Sequence, residues 1–196
     1  MKLFDQWDTQ NITLTDYSLK NMINLKPIIV AKSQGRNAVQ RFYRNRTNII
    51  ERLITRLMVP GHRGKKHKTS SGRNSGKYMT NAKVVKDTFD LIEKKTSSNP
   101  LQIFITALEN AAPREEITTV EYGGARYPQA VDVSPQRRVD IALRVMVQGA
   151  YQKSFGKKQK MFEALAEEIL SAYKLDQKSA SVSKKLELER MADAAR

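Results

Sequence analysis

Five times along this chain, apolar residues return at the three- and four-residue spacing of one helical face, and that rhythm restricts the fold to a mainly helical one. Over residues 47–59 the face is Ile49, Ile50, Leu53, Ile54, Leu57 and Met58, with Arg46, Arg52 and Arg56 falling largely opposite, and Pro60-Gly61 ends the run. Ala82, Val85, Phe89 and Ile92 mark a second helix over 80–95. Asn99-Pro100, a capping side chain followed by a first-turn proline, opens a third. Its core face is Leu101, Phe104, Ile105 and Leu108, and Pro113 closes it. Ser134-Pro135 opens a fourth in the same way, with Val139, Leu143, Met146 and Ala150 inward and Arg137, Arg138 and Arg144 left on the outside. Met161, Leu165 and Ile169 mark a fifth, ending near Tyr173, on which Glu167 and Glu168 read as the solvated face. Residues 179–196 are charged and helix-prone with little apolar surface, as expected of a C-terminal helix that lies on the surface or against a partner.

One segment breaks the helical rhythm. Two β-rich runs in residues 116–133 flank Gly123-Gly124, a pair suited to a two-residue hairpin turn. That turn sets Glu121 opposite Arg126 and Val120 opposite Tyr127, while Pro128 suggests an edge. A lone two-stranded ribbon is marginal in water, so this one reads as an arm projecting from a helical body. Residues 1–46 look irregular, with a short strand-like alternation at Asn11–Asp16 and interruptions at Pro27 and Gly35. They read as a basic N-terminal extension that wraps a partner. The expected organisation is therefore an extension over 1–46, a helical core over 47–178 carrying the arm at 116–133, and a C-terminal helix over 179–196.

Charge points to the partner. The 196 residues carry a formal net charge of +15, which favours a polyanion. The excess is concentrated: from Tyr17 to Lys86 the only acid is Glu51, against seventeen Lys or Arg. Residues 61–79, GHRGKKHKTSSGRNSGKYM, hold six of those cations, no acid and almost nothing apolar. A loop this long is disordered or functional, and phosphate contact is the function its charge supports. The linker Lys153–Lys160 is basic again. Phe42 and Tyr43 lie between Arg41 and Arg44, where they suit either base stacking or core packing. Anionic membrane is the rival surface, but no apolar run approaches the roughly 18 residues of a spanning helix. The opening MKLFDQWDTQN is acidic and broken by Gln6 and Trp7, unlike a signal peptide. A cytosolic protein is expected.

The residue inventory argues against catalysis. With no cysteine there is no thiolate nucleophile and no Cys-based zinc site. His62 and His67 sit in a polar loop without a carboxylate nearby, a poor metal set. Gly72–Lys77 lacks the spacing and preceding strand of a phosphate-binding loop. Glu115 and Glu116, at the hairpin entrance, point to opposite sides of an extended strand and serve better as anchors than as an acid–base pair. No cofactor and no metal are expected. A helix-turn-helix regulator would need a second helix after a short turn, which the segment at 61–79 does not allow. An RNA-modifying enzyme would need a cofactor or metal motif.

Several long stretches carry a family resemblance. ALENAAPREE (Ala107–Glu116) and YGGARYPQAVDVSPQRR (Tyr122–Arg138) closely resemble the family of small-subunit ribosomal protein seven, as do NIIERLITRLMVPG (Asn48–Gly61), NPLQIF (Asn99–Phe104) and KKLELERMADAAR (Lys184–Arg196). The basic insert at 61–79, FDQW and SLKNMINLKP resemble its archaeal and eukaryotic branch rather than the shorter bacterial form. The resemblance implies a bundle of about six helices with a protruding β-hairpin. It implies a structural protein that binds the 3′ major domain of small-subunit rRNA at a multi-helix junction and nucleates the subunit's head. It also implies a position by the exit-site tRNA and the mRNA exit path, with small-subunit protein number eleven across that exit.

On charge and resemblance together, the expected rRNA contacts are Arg36, Arg41, Arg44, Arg46, Arg52, Arg56, Arg63, Lys65, Lys66, Lys68, Arg73, Lys77, Arg137, Arg138, Lys153, Lys157 and Lys158. The resemblance further implies that the hairpin, Ile117–Val133, and the last helix face tRNA and mRNA. The residues concerned are Tyr122, Gly123, Gly124, Arg126 and Tyr127 on the arm, and Lys184, Lys185, Arg190 and Arg196 on the helix.

Overall fold

The computed structural model of the chain describes residues 1–40, 42–63, 66–67 and 72–196, with the backbone alone at 62–63 and 66–67. Arg41, Lys65 and Lys68, expected as rRNA contacts, lie outside the described residues, as do the side chains of Arg63 and Lys66.

Among the described residues six α-helices form the body: α1 (Ile49–Leu57), α2 (Tyr78–Thr96), α3 (Pro100–Ala111), α4 (Pro135–Ser154), α5 (Met161–Tyr173) and α6 (Ala180–Asp193). Asparagine caps account for two of the starts, Asn99 as the sequence suggests and Asn48, which carries no following proline to mark it. Asn48 Oδ1 accepts from Ile50 N at 2.9 Å, and Asn99 Oδ1 accepts from Leu101 N at 3.0 Å. Ser134 precedes the first-turn Pro135 but makes no side-chain cap. Helix α5 packs against α2, α3 and α4. Phe89 and Phe104 meet at its centre, with ring centroids 5.9 Å apart. At Gly149 of α4 the approach of α6 is so close that a Cβ would lie 2.7 Å from Ala180 Cβ.

A tiny antiparallel ribbon, β1 (His62–Arg63) with β2 (Lys66–His67), lies in the basic insert, and α2 starts at Tyr78, inside the segment expected to be loop. The arm is the ribbon of β3 (Glu115–Tyr122) and β4 (Ala125–Asp132). Its register pairs Glu121 with Arg126 and Val120 with Tyr127, as the two-glycine turn requires. Gly123 and Gly124 both take positive φ, 57° and 81°, which suits glycine and twists the turn to match the strands. The outer half of the arm is exposed throughout.

The N-terminal segment differs from expectation. No strand forms at Asn11–Asp16, and short 3-10 turns at Tyr17–Leu19, Arg36–Ala38 and Tyr43–Arg46 punctuate the segment. Leu3, Trp7, Leu19, Ile23 and Ala31 are buried in the same core as the helices. Trp7 stands edge-on to Phe89 with centroids 5.6 Å apart, and its Nε1 donates to Glu93 at 3.0 Å. These apolar anchors close over the chain's own bundle, leaving the cations between them on the outside.

Candidate nucleic-acid interface

The densest charge cluster forms where α1 packs against α4. Asp140 of α4 accepts ion pairs from Arg52 and Arg56, one helical turn apart on α1, both at 3.3 Å, and from Arg44 at 3.7 Å. Burial pushes the Asp140 carboxyl up, but the three guanidiniums outweigh it and hold the group below the usual carboxylate value. The members of the cluster differ in exposure. Arg52, expected on the outer face, is 1% exposed and also donates to Met22 O at 3.0 Å. It is a buried strut, drawn inward because Asp140 and a backbone carbonyl wait there. Arg44 and Arg56 instead reach the rim of a cleft of about 370 Å³, lined with them by Thr55, Val59, Arg144, Val147 and Gln148.

That cleft has more cation than it can neutralise. Four guanidiniums (Arg44, Arg52, Arg56 and Arg144) surround one carboxylate. Arg144 is exposed and makes no hydrogen bond or ion pair among the described residues, while Arg52 Nε and Arg56 Nε are buried without an acceptor. Burial pushes the Arg144 guanidinium down, and the like charges of Arg56, Arg137 and Arg44 add to the effect, with Asp140 opposing. Buried donors left without acceptors cost free energy, and multiple oxygen acceptors carrying negative charge would remove that cost. The helical pattern leaves Arg144 on the outer face of α4, and only the fold brings it to Arg44 and Arg56.

The sole acid in the basic half of the chain is taken up internally. Glu51 is buried and accepts from Ser33 N at 2.9 Å and Ser33 Oγ at 2.7 Å. Its charge, after burial, also pushes the Tyr78 phenol up. The exposed face there is thus left to the cations. Arg36, Arg44, Arg46, Arg73 and Lys77 are exposed, and the Arg46 guanidinium lies 3.8 Å from the Tyr43 ring centre. Phe42 is exposed, so the core alternative for it does not hold. Lys157 and Lys158 are exposed in the α4–α5 linker.

Two further arginines behave differently from each other. Arg137 clasps Glu116 of β3 with Nε at 2.6 Å and Nη2 at 2.9 Å, and this hydrogen bonding raises its pKa. Arg138, expected to face outward, is 6% exposed. It donates to Pro113 O at 3.0 Å, to Asp16 Oδ2 at 2.7 Å and to Ser18 Oγ, tying the N-terminal segment to the foot of the arm. Burial pushes the Asp16 carboxyl up, but hydrogen bonds from Ser18 and Arg138 hold it below the usual value.

Lys153 and Glu168 also overturn a surface reading. Glu168 is fully buried, not solvated. It accepts from Lys153 Nζ at 2.7 Å, Ser179 Oγ at 2.7 Å and Ser181 N at 3.1 Å, so it anchors the start of α6. Lys153 is thereby committed to the body. At the other end of α6, Arg196 pairs with Glu115 at the foot of the arm, and Glu189 accepts from Arg114 N at 3.0 Å. Lys184 pairs with Glu187 at 2.7 Å, while Arg190 is exposed. Lys185 donates to Asn110 O at 3.1 Å, and burial chiefly pushes its ammonium down. Helix α6 and the arm are therefore bracketed together. On the arm, Tyr122, Gly123, Gly124, Arg126 and Tyr127 are all exposed.

The chain resembles known proteins along its whole length. The family model described as Ribosomal protein S7p/S5e matches residues 23–196. Small ribosomal subunit protein uS7 of Nanoarchaeum equitans is 53% identical over 196 residues, covering 100% of this chain and 99% of that one. The uS7 proteins of Methanothrix thermoacetophila and Methanococcus aeolicus are each 41% identical, over 100% of this chain and 100% and 99% of theirs.

Proposed function

Because the chain belongs to the ribosomal protein S7p/S5e family, we propose that it is a structural, non-enzymatic constituent of the small ribosomal subunit that docks on the 3′ major domain of the rRNA through the arginine cleft between α1 and α4. The observation that carries the docking reading is the excess of guanidinium over carboxylate at Asp140, with Arg144 unmatched beside it. Phosphate oxygens supply the acceptors that this cleft lacks. Such contacts fix position and orientation without reading sequence. Specificity then comes from the rigid helical face fitting a folded RNA, the usual mode for structured RNA.

Around this centre, Arg36, Arg46, Arg73, Lys77, Lys157 and Lys158 extend the phosphate-binding surface, joined by the cations of the basic insert, Arg63, Lys65, Lys66 and Lys68, and by Arg41. Arg52, Arg138 and Lys153 support the surface from within. The arm and α6, bracketed at Glu115 and Arg196, face the exit-site tRNA and the mRNA exit path, with protein number eleven across it. The chain's place is accordingly the ribosome in the cytoplasm.

A gel-shift competition tests the docking reading. Labelled 3′-domain rRNA is bound by the full chain in moderate salt, against excess unrelated RNA and duplex DNA. Binding that survives both competitors is expected. Binding erased equally by any polyanion would leave charge alone and contradict a specific rRNA site.

A further inference from the structure

The arm has two chemically unlike faces. Strand alternation and the register put Val120, Tyr122 and Tyr127 on one side of the ribbon and Glu121 and Arg126 on the other. Tyr122 is 82% exposed and Tyr127 59%. Tyr122 pairs with Ala125, so Tyr127 is its diagonal neighbour on the same face, within reach of a shared ligand. The two-glycine turn sets Tyr122 and Tyr127 beside the end of the arm.

We propose that this tyrosine face stacks on unpaired RNA bases. The inference rests on the proposed placement of the arm beside tRNA and mRNA, and names how the arm holds RNA there. Charge at the arm supports it. Arg126 pairs with Glu121 at 3.4 Å, so the cation of the tip already faces a carboxylate on the side away from the tyrosines. At the foot, Glu115 and Glu116 are held by Arg196 and Arg137, so the arm does not present them as bare acids to repel RNA. The exposed chemistry left at the tip is two ring faces. A protein partner is the weaker candidate, because a stable protein interface takes about 800 Å² from each side. Three side chains at the end of a two-stranded ribbon fall well short of that. A base needs one ring face only, and stacking of this kind is tolerant of sequence.

The test uses the full chain already bound to 3′-domain rRNA, so that the arginine surface is occupied. A short unstructured oligoribonucleotide carrying 2-aminopurine is titrated in, and stacking is read as fluorescence quenching. Retention of the rRNA fragment is followed in the same samples, so failure of docking and failure of stacking are separate readouts. Tyr122→Ala with Tyr127→Ala should weaken the oligonucleotide at least about ten-fold while rRNA retention is unchanged. The double Phe variant should keep the affinity, since stacking needs the ring and not the hydroxyl. Thr119→Ala on the opposite face, which leaves the Glu121–Arg126 pair intact, should leave it within about two-fold. Three results would overturn the proposal: an abasic oligonucleotide binding as tightly as the normal one, the double Ala variant quenching undiminished, or the double Phe variant losing as much as the Ala one. Loss of a neighbouring small-subunit protein from subunits carrying the double Ala variant, with quenching intact, would assign the face to protein instead.

Discussion

Arg137 on the first turn of α4 holds both carboxylate oxygens of Glu116 on β3, at 2.6 and 2.9 Å, and so fixes the angle at which the arm leaves the body. A planar guanidinium matched to a carboxylate in this way adds geometric definition as well as energy. The Arg137 side chain is about half exposed, so solvent screening keeps the energetic part small. Arg137→Ala should lower global stability by at most about 1 kcal/mol, yet raise hydrogen exchange at Ile117–Val120 well above wild type. Exchange mass spectrometry that showed the arm's foot unchanged would deny the clasp its role.

Acid should unfold the protein partly through Asp140 and Asp16. Both carboxyls sit below their ordinary value of 3.8 when folded. Their stabilisation is therefore present above the unfolded-state value and is lost as pH falls through the lower folded value. Thermal melts from pH 6 to pH 2 should show a decline below about pH 4 that is shallower in Asp140→Asn. That variant should also be less stable at pH 7, because three guanidiniums lose their counter-charge.

Gly149 separates packing from helix propensity. An alanine in a helix interior is ordinarily favoured over glycine by about 0.5–1 kcal/mol. Here the added Cβ meets Ala180 Cβ at 2.7 Å and the Glu168 carboxyl beyond it. Gly149→Ala should therefore destabilise by about 1–3 kcal/mol, and Ala180→Gly in the same chain should recover part of the loss. Denaturant unfolding of the two single variants and the double decides it.

Trp7→Ala should cost about 3–5 kcal/mol, since the indole is buried against Phe89 and its Nε1 bonds Glu93. An N-terminal segment detached from the body would lose almost nothing. Urea midpoints compare the two outcomes directly.

Helices and hairpin were legible because their signals are local. Ile49 to Leu57 repeat at helical spacing, Asn99-Pro100 sits in adjacent positions, and Gly123-Gly124 alone fixes which residues face each other across the ribbon. The burial of Arg52, Arg138 and Glu168 was not, because each depends on a partner from a distant segment. Asp140 for Arg52, Asp16 for Arg138 and Lys153 with Ser179 for Glu168 become neighbours only in three dimensions. A charge at a helical position carries no mark of whether such a partner awaits it. Leu3, Trp7, Leu19 and Ile23 fall in what reads as an extension that wraps a partner because their spacing follows neither period, although each is buried against the chain's own core. Arg44, Arg56 and Arg144 were visible singly as cations, while the cleft that joins them is a product of α1 packing on α4.

The most direct test of the arginine cleft is the salt dependence of binding to 3′-domain rRNA, measured for the wild-type chain and for Arg44→Ala with Arg144→Ala. Phosphate contact at both residues predicts weaker binding and a log–log salt slope shallower by about one for each residue removed. An unchanged slope, with the variant folded and binding as tightly as wild type, would contradict the account and move the docking surface away from the α1–α4 cleft.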